Sequence, residues 1–435
     1  MKPIVFGLAL LLAGSFAESP PLDQLSQVRV EETPYFMHRL AESLNDFAFD
    51  LYRSVVKDIP GTNVFMSPLT TSILISMLHM GSGEPTELIL ARCLHLMWLK
   101  NTKGQATIKE LLEHIHSLNS TSIAARIFIK KDVPLLESFI ERAEKIYSAK
   151  PENFVGDKKV DIKRVNDWVK EKTDNMIKNF LTDLPDNVDL LLLSAIYFKG
   201  QWMESFSSMH TTKTRFYLSK QTSKQVEMMF GPQRKIKMAV YEHLNCEIGV
   251  IPFSGGIDLV VFLPKIPDAN LTLIESSLSS SFFKDLDHKL EEMTANIYVP
   301  KFKIESEQNL MPVLDNLGLD DLFHHPNFSG ISTVPLAITN ALHKAAIEVS
   351  EEGVKAAAVT ALMANRALFH DVRTPEFRLN RPFVFAIIDQ HSRAVLFLGR
   401  FVGPDSQQQT RSKHAMESSD EQREDESSSD ETSKD

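Results

Sequence analysis

Several short runs in the second half of the sequence are apolar at almost every position. The clearest are VDLLLLSAIYF, CEIGVIPF, IDLVVFLP and ANIYVPKFKI, which Pro, Gly or polar residues bound, as is typical of strands. FVFAIID and AVLFLGRF flank the short turn QHSR and predict a β-hairpin. Because strands this apolar need protein on both faces, a sheet covered on both sides is the main constraint on the fold.

Helical patterns dominate the first half. FMHRLAESLNDFAFDLYRSVV repeats apolar residues at helical spacing, and VDIKRVNDWVKEKTDNMI has one apolar and one charged face. In SPLTTSILISMLHMG we predict Ser67 as the N-cap, Pro68 as the first helical residue and Gly81 as the stop. No repeat or linker divides the chain. The sequence therefore predicts a mixed α+β fold, with helices packed around at least one large sheet.

The N-terminus has the form of a secretory signal peptide. Lys2 precedes an apolar run from Ile4 to Ala13, and the small residues Ser15 and Ala17 suit cleavage near Ala17. The alternative is a signal anchor, although the run is too short to span a bilayer. We predict a signal peptide at 1–17, a leader at 18–35, and a secreted, extracellular protein that does not insert in a membrane.

The last 31 positions, 405–435, are rich in Ser, Glu and Asp and almost free of apolar residues. Such a segment buries too little surface to fold, so we predict a disordered acidic tail. The net charge of −10 argues against nucleic acid as a partner.

Secretion would permit disulfides and glycans. The two cysteines, Cys93 and Cys246, form either one bridge or two buried free thiols. Three sequons place candidate glycans on Asn119, Asn270 and Asn327, of which we expect at least one to be unused.

Enzymatic chemistry has no support in the sequence. It contains no nucleophile elbow, zinc-protease motif, phosphate-binding loop or dinucleotide fingerprint. The 14 histidines are scattered without metal-ligand spacing. We therefore expect no catalytic residues, no metal and no cofactor.

Five motifs resemble those of the serpin family, in the family's order and spacing, from about residue 36 to 404. They are NVFMSPLTTSI, YFKGQW, the HKA of 343–345, EEGVKAAAVT and FRLNRPFVFAI. The resemblance implies a single serpin domain at 36–404, in which helices surround a large central sheet and smaller sheets, with an exposed reactive loop. LLLSAIYFKGQW and LNCEIGVIPF resemble one branch of the family, which holds protease inhibitors and non-inhibitory extracellular ligands.

By this resemblance the segment SEEGVKAAAVTALMANRALF is the start of the reactive loop. Once a protease cuts the loop, its N-terminal part would insert into the main sheet as a new strand. The hinge residues would be Glu351, Glu352, Gly353, Val354, Ala356, Ala357, Ala358 and Thr360. Gly353 would let the backbone turn without Cβ strain, and small side chains would alternate onto one face. The alternative is an ordinary exposed Ala-rich helix.

The scissile bond predicted by the resemblance is Arg366-Ala367 or Ala367-Leu368, with Leu368 and Arg373 as remote alternatives. Arg366 would enter the acidic specificity pocket of a trypsin-like serine protease. The alternative is an exposed arginine that is cleaved without trapping.

The family's sheet-opening region corresponds to Ser67, Ser194 and His343. Family members commonly have Asn at the position of Ser194, and we expect the shorter serine not to make the same reach. This departure favours the rival function, a non-inhibitory extracellular ligand. A small-molecule carrier on the same fold is a third alternative, without positive sequence support.

Basic residues suggest a second surface. A patch for heparin-like glycosaminoglycans could form from three groups of basic residues: Lys130 and Lys131; Lys158, Lys159, Lys163 and Arg164; and Arg234, Lys235 and Lys237. The resemblance singles out Lys130 and Lys131; the alternative is scattered, solvated lysines. Collagen or a cell-surface receptor would be further partners of a monomer.

Overall fold

The structure is a computed structural model that describes residues 33–99, 102–118, 120–268, 270–353 and 374–404. In these residues the helices are α1 (Thr33–Lys57), α2 (Pro68–Met80), α3 (Thr86–Cys93), α4 (Thr102–His116), α5 (Glu137–Tyr147), α6 (Lys158–Lys172), α7 (Thr272–Ser277), α8 (Ser280–Lys289) and α9 (Met311–Asn316). The segments predicted as signal peptide (1–17) and acidic tail (405–435), and nearly all of the predicted leader, lie outside the described residues.

The strands fall into two sheets. They are β1 (Val64–Met66), β2 (Thr121–Ile129), β3 (Glu152–Asn153), β4 (Leu190–Phe198), β5 (Thr212–Tyr217), β6 (Ser223–Tyr241), β7 (Cys246–Phe253), β8 (Ile257–Pro264), β9 (Glu291–Pro300), β10 (Phe302–Asn309), β11 (Ile338–Val349), β12 (Glu376–Arg378), β13 (Phe383–Asp389) and β14 (Val395–Phe401). In the described chain, a nine-stranded sheet runs β1-β14-β13-β8-β7-β6-β9-β12, with β5 beside β6. A five-stranded sheet runs β10-β11-β4-β2-β3. The mixed α+β prediction is confirmed.

The main core lies between the two sheets and the helices behind them. Phe198 of β4 contacts Phe397 of β14, with 5.2 Å between ring centroids. Helix α2 is buried along nearly its whole length, and its sequence contains only apolar residues, small hydroxyl residues and one histidine. Ser67 caps it by accepting a hydrogen bond from the Thr70 amide, and Gly81 ends it, so the predicted bounds of α2 are confirmed.

A second, smaller core lies on the outer face of the five-stranded sheet. Helix α6 and residues 173–189, here called the cover, pack there against β2 and β4. The buried side chains of this second core are Ala124, Phe128, Phe154, Val165, Val169, Ile177, Phe180, Leu181, Leu184, Val188, Leu191, Leu193 and Ala195. All nine residues of β4 are buried because each face of the strand meets a different core. The expectation of a sheet covered on both faces is therefore correct.

One predicted strand is in fact two. The run ANIYVPKFKI breaks at Lys301, between the end of β9 and the start of β10. The two strands belong to different sheets, and the Lys301 amide donates to the carbonyl of Glu227 at 2.8 Å. Apolar residues alternate at 295, 297 and 299 in β9 and at 302 and 304 in β10, so the phase of the alternation shifts by one residue at the break.

Cys93 and Cys246 are free thiols, the second of the two alternatives drawn from the sequence. Burial raises the pKa of each to about 12, so both are poor nucleophiles at neutral pH. Among the described helices, none combines the length and apolar character needed to cross a bilayer.

A buried ion pair joins distant parts of the chain. Arg400 of β14 donates to Glu275 of α7 at 3.1 Å and to the carbonyl of Thr62 at 2.9 Å. Tyr52 of α1 donates to the same Glu275 oxygen at 3.0 Å. Arg400 and Glu275 are about 5% and 4% exposed, so neither charge has water as an alternative partner.

We expect Glu275→Ala to lower the free energy of unfolding by about 3 kcal/mol, because it leaves the Arg400 charge buried without its counter-ion. The thermal midpoint measures this, with Glu291→Ala, at an exposed carboxylate, as the control. Equal midpoints for the two variants would contradict the proposed importance of this pair.

Candidate functional site

The centre of the five-stranded sheet contains a seam between two parallel strands. β11 and β4 pair directly, with His343 opposite Ser194 and Ile347 opposite Phe198. Beyond Val349 the chain continues into the predicted hinge. A chain that reversed there and returned between the two strands would run antiparallel to both. The seam could receive such a strand once the β4–β11 hydrogen bonds separate.

The start of the hinge is held by backbone groups around Trp202. The indole Nε1 of Trp202 donates to the Ser350 carbonyl at 2.7 Å, and its amide donates to the Glu352 carbonyl at 3.0 Å. The Phe206 amide donates to the Glu351 carbonyl at 3.1 Å. Trp202 is itself fully buried and stacks on a phenylalanine of β7. A rigid side chain therefore fixes where the hinge leaves β11.

The two hinge carboxylates form ion pairs of different strength. Glu351 is 18% exposed and lies 3.1 Å from Lys301, and it accepts a hydrogen bond from Thr211 at 2.8 Å. Burial opposes ionisation of Glu351, but the bond from Thr211 and the Lys301 charge outweigh it and hold its pKa below the ordinary value. Glu352 pairs with Lys199 at 3.0 Å, both largely exposed, so this second pair contributes little.

Gly353 is required for a different reason from the one expected. Its φ is not in the left-handed region, so no turn there demands glycine. A Cβ on Gly353 would instead lie 2.7 Å from the carbonyl oxygen of Trp202 and 2.8 Å from the Cα of Ser205. The close approach of two backbones excludes a side chain.

The remaining hinge and bait residues lie outside the described residues. These are Val354, Ala356, Ala357, Ala358, Thr360, Arg366 and Ala367, with the alternatives Leu368 and Arg373. Their roles stay predictions from the sequence.

Of the three residues assigned to the sheet-opening region, Ser67 and Ser194 both lie within hydrogen-bond distance of His343 at the seam. The Ser67 amide donates to Nε2 of His343 at 3.1 Å, and Oγ of Ser194 lies 2.7 Å from Nδ1 of the same ring. The Ser67 hydroxyl donates to the Leu396 carbonyl at 2.8 Å. Ser67, Ser194 and His343 are each completely buried. The expectation that Ser194 is too short to reach its partner is wrong, because β4 and β11 are adjacent here.

The hydrogen bonds assign the histidine tautomer. Nε2 accepts from a backbone amide, so the hydrogen is on Nδ1, which donates to the Ser194 hydroxyl. Complete burial lowers the pKa of His343 to about 3, so the ring is neutral at physiological pH. The cluster is satisfied only while the seam is closed, because Ser194 and His343 stand on opposite strands.

The cover crosses the seam on its outer side. Lys344 of β11 donates to the Asn179 carbonyl at 3.0 Å and pairs with Glu307 at 3.0 Å. Its ammonium also lies over the Phe180 ring, 5.2 Å from the centroid. The sequence analysis gave no role to Lys344, Trp202 or Lys301, although two of them lie within the quoted motifs HKA and YFKGQW.

Five of the nine basic residues predicted to bind glycosaminoglycan form ion pairs with carboxylates. Lys130 lies 3.2 Å from Asp189, and Lys158 lies 2.8 Å from Asp183. Lys163 pairs with Asp167, Arg164 with Glu152, and Arg234 with Glu204. Lys131 is exposed beside Gly156, at the start of the loop into α6. The geometry therefore leaves less uncompensated positive charge than the sequence suggested. No cluster of His, Cys, Asp and Glu suited to a metal occurs within the described ranges.

The comparisons with known proteins agree with this geometry. The family model for serpin (serine protease inhibitor) matches residues 42–404. Pigment epithelium-derived factor from Homo sapiens is 32% identical over 390 residues, which cover 89% of this chain and 92% of that protein. Alpha-2-antiplasmin from Mus musculus is 31% identical over 370 residues, covering 84% and 72%.

A solved structure shares the fold as well. The structure of native protease nexin-1 with heparin has a TM-score of 0.77 and 26% identity, covering 85% of this chain and 100% of that one. The chain belongs to the serpin family, whose members are protease inhibitors or proteins without enzymatic activity. Pigment epithelium-derived factor and alpha-2-antiplasmin belong to the branch indicated by LLLSAIYFKGQW and LNCEIGVIPF, so the prediction of family and branch is confirmed.

The neutral His343 makes a specific pH dependence testable. Between pH 6.5 and about 3 the unfolded chain binds a proton that the native ring does not, so stability is present above pH 6.5 and is lost as the pH falls. From pH 6.5 to 5, we expect the free energy of unfolding to fall more in the wild type than in His343→Gln. The difference should approach about 1.4 kcal/mol per pH unit, by urea denaturation. Equal slopes would show that the histidine is not buried and neutral.

The sequons differ in whether the amide nitrogen of the asparagine side chain makes a hydrogen bond within the protein. Asn270 is exposed, and its Oδ1 accepts from the Thr272 amide. Nδ2 of Asn327 instead donates to the Glu84 carbonyl at 3.0 Å. Asn119 lies outside the described residues.

We expect a glycan on Asn270 and little or none on Asn327, because a glycan on Nδ2 of Asn327 would displace its contact with Glu84. Glycopeptide mass spectrometry of protein secreted by mammalian cells measures both occupancies, with Asn270→Gln as the control for assignment. Full occupancy at Asn327 would contradict this expectation.

Proposed function

We propose that this protein is a secreted inhibitor of a trypsin-like serine protease, with Arg366 as the residue presented to the protease. One observation carries the proposal: a closed parallel seam between β4 and β11 stands beside a hinge that leads into a run of small residues. The signal-like residues 1–17 support secretion, 36–404 would be the inhibitory domain, and 405–435 would be an acidic tail.

The proposed mechanism uses the seam as the acceptor of the cut loop. The catalytic serine of the protease would attack the Arg366 carbonyl and break the Arg366–Ala367 amide bond. Arg366 would remain bound to that serine as an ester, Ala367 would leave with a free amine, and the Arg366 guanidinium would occupy an acidic specificity pocket. Residues from Val354 onward would then enter between β4 and β11 and carry the attached protease with them. An inserted strand gains ladder hydrogen bonds on both edges, each worth about 0.5–1.5 kcal/mol net. That gain would drive the transition.

The residue pattern of the hinge fits this movement. Val354, Ala356, Ala358 and Thr360 would point to one face, and small or uncharged side chains there avoid the cost of burying a charge. Lys355 would point to the opposite face. No proline interrupts the run before Pro375, so every amide could join a ladder.

We expect a covalent adduct that survives SDS when the protein is mixed with trypsin, plasmin or thrombin. Arg366→Ala should abolish it with proteases that need a basic residue. Ala356→Arg should convert the inhibitor into a cleaved substrate, because it places a charge on the face that becomes buried.

Lys355→Glu is the matched control, since it changes charge on the opposite face and should leave the adduct intact. Cleavage of the loop by all three proteases without any adduct would count against inhibition.

The second candidate is a non-inhibitory extracellular ligand, favoured by the 32% identity to pigment epithelium-derived factor. Ser194 no longer favours it, because its hydroxyl reaches His343. Its partners would be a heparin-like glycosaminoglycan through Lys130 and Lys131, collagen or a cell-surface receptor. The thermal midpoint after loop cleavage separates the two functions: a large rise indicates insertion and inhibition, and an unchanged midpoint favours the ligand.

A further inference from the structure

Opening the seam sets a mechanical requirement for the cover. A new strand widens a sheet by about 4.8 Å, so the two sides of the seam must move apart by that distance. The cover contacts both sides, since Val165 and Val169 pack with β2 and β4 whereas Asn179 and Phe180 contact Lys344 of β11. It therefore cannot keep both sets of contacts when the seam opens.

The contacts on the β2 side centre on one carboxylate. Arg126 of β2 lies 2.5 Å from Oε2 of Glu152 in β3, and Arg164 of α6 contacts Oε1 of the same residue. Glu152 thus uses both oxygens, one toward a strand and one toward the helix. Charge-assisted pairs of this kind with arginine are geometrically specific.

The Arg126 guanidinium also stacks on α6 directly. Its central carbon lies 4.4 Å from the centroid of the Trp168 ring, and the side chain is 19% exposed. A cation over a tryptophan at a partly desolvated site contributes more than an exposed ion pair does. Arg126, Glu152, Arg164 and Trp168, here called the latch, therefore join α6 to β2 and β3, and only Arg126 contacts both Glu152 and the Trp168 ring from β2.

The opposite side of the cover is held differently. There the polar contacts are the Lys344 ammonium with the Asn179 carbonyl and the Asp189 amide with the Thr339 hydroxyl, and both involve the segment after α6 rather than the helix. Lys344 also has Glu307 as a partner on its own side of the seam. When the seam widens, Lys344 keeps a counter-ion without the cover. On the other side, departure of α6 would take the Trp168 ring from Arg126 and the Arg164 guanidinium from Glu152.

We propose that Arg126 is a positioning residue that keeps α6 fixed to β2 and β3 while the seam between β4 and β11 opens, so that the inserting loop meets a preformed cover. The proposal rests on the proposed inhibitory function, and it adds that the latch controls the position of α6 during loop insertion. The guanidinium acts through Trp168 and Glu152, and it touches neither the protease nor the loop.

The first test asks whether the latch holds α6. Arg126→Met removes the guanidinium and keeps an unbranched apolar chain, so amide hydrogen exchange in α6 should become about tenfold faster. Exchange in α5, which the latch does not touch, should stay as in the wild type. Arg126→Lys, which keeps a cation, should restore part of the protection.

Lys163→Met is the matched control, because it removes one positive charge from an exposed ion pair with Asp167 on the same helix. It should leave α6 exchange unchanged. Equal exchange of α6 in Arg126→Met and Lys163→Met would overturn the proposal. Faster exchange in α5 and α6 alike would also overturn it, since Arg126 would then be a residue of general stability.

The second test measures the consequence for trapping. With trypsin in excess, the ratio of cleaved inhibitor to covalent adduct should rise in Arg126→Met and not in Lys163→Met, while the rate constant of loop attack stays the same. An unchanged ratio would overturn the role in trapping. If the wild type forms no adduct, the inhibitory function fails, and the exchange experiment still decides whether the latch holds the helix.

Discussion

The seam between β4 and β11 is the constraint on which the other parts of the structure depend. Both strands are central in the five-stranded sheet, and β4 contributes side chains to the main core on one face and to the second core on the other. A displacement of β4 is therefore felt on both sides of the sheet. Three features contact this pair of strands. The hinge lies at its end, the buried His343 on its inner face and the cover on its outer face.

The polar groups of the inner face make closure specific. Serine and histidine side chains in an apolar core are costly unless their hydrogen bonds are complete. Nδ1 of His343 donates to Ser194 across the seam, Nε2 accepts from the Ser67 amide, and a low pKa keeps the ring uncharged. Separation of the two strands would leave these buried polar groups without hydrogen-bond partners. The free energy is therefore lowest at the spacing of β4 and β11 that keeps these hydrogen bonds. A seam lined only by apolar side chains would tolerate small changes in that spacing.

The sequence predicted the elements better than their contacts. α2 follows from its cap, proline and glycine, and β4, β13 and β14 follow from apolar runs, because these signals are local. Trp202 and Ser350 are 148 positions apart, and nothing local in either residue indicates the bond between them. The reach of Ser194 was misjudged for the same reason: it depends on the distance between two strands, which side-chain length alone does not give.

The hinge is anchored by fewer and weaker groups than the strand it follows. Its contacts are hydrogen bonds from the Trp202 indole and from backbone amides nearby, one from Thr211, and two carboxylate pairs. Of the two pairs, Glu351–Lys301 is the less exposed. Each of these hinge contacts contributes about 1 kcal/mol net to stability. Their sum is small compared with the hydrogen bonds of the two ladders that an inserted strand would form. If insertion occurs as proposed, the closed seam must persist because the cover and the His343 cluster slow its opening. The hinge contacts alone would not hold it.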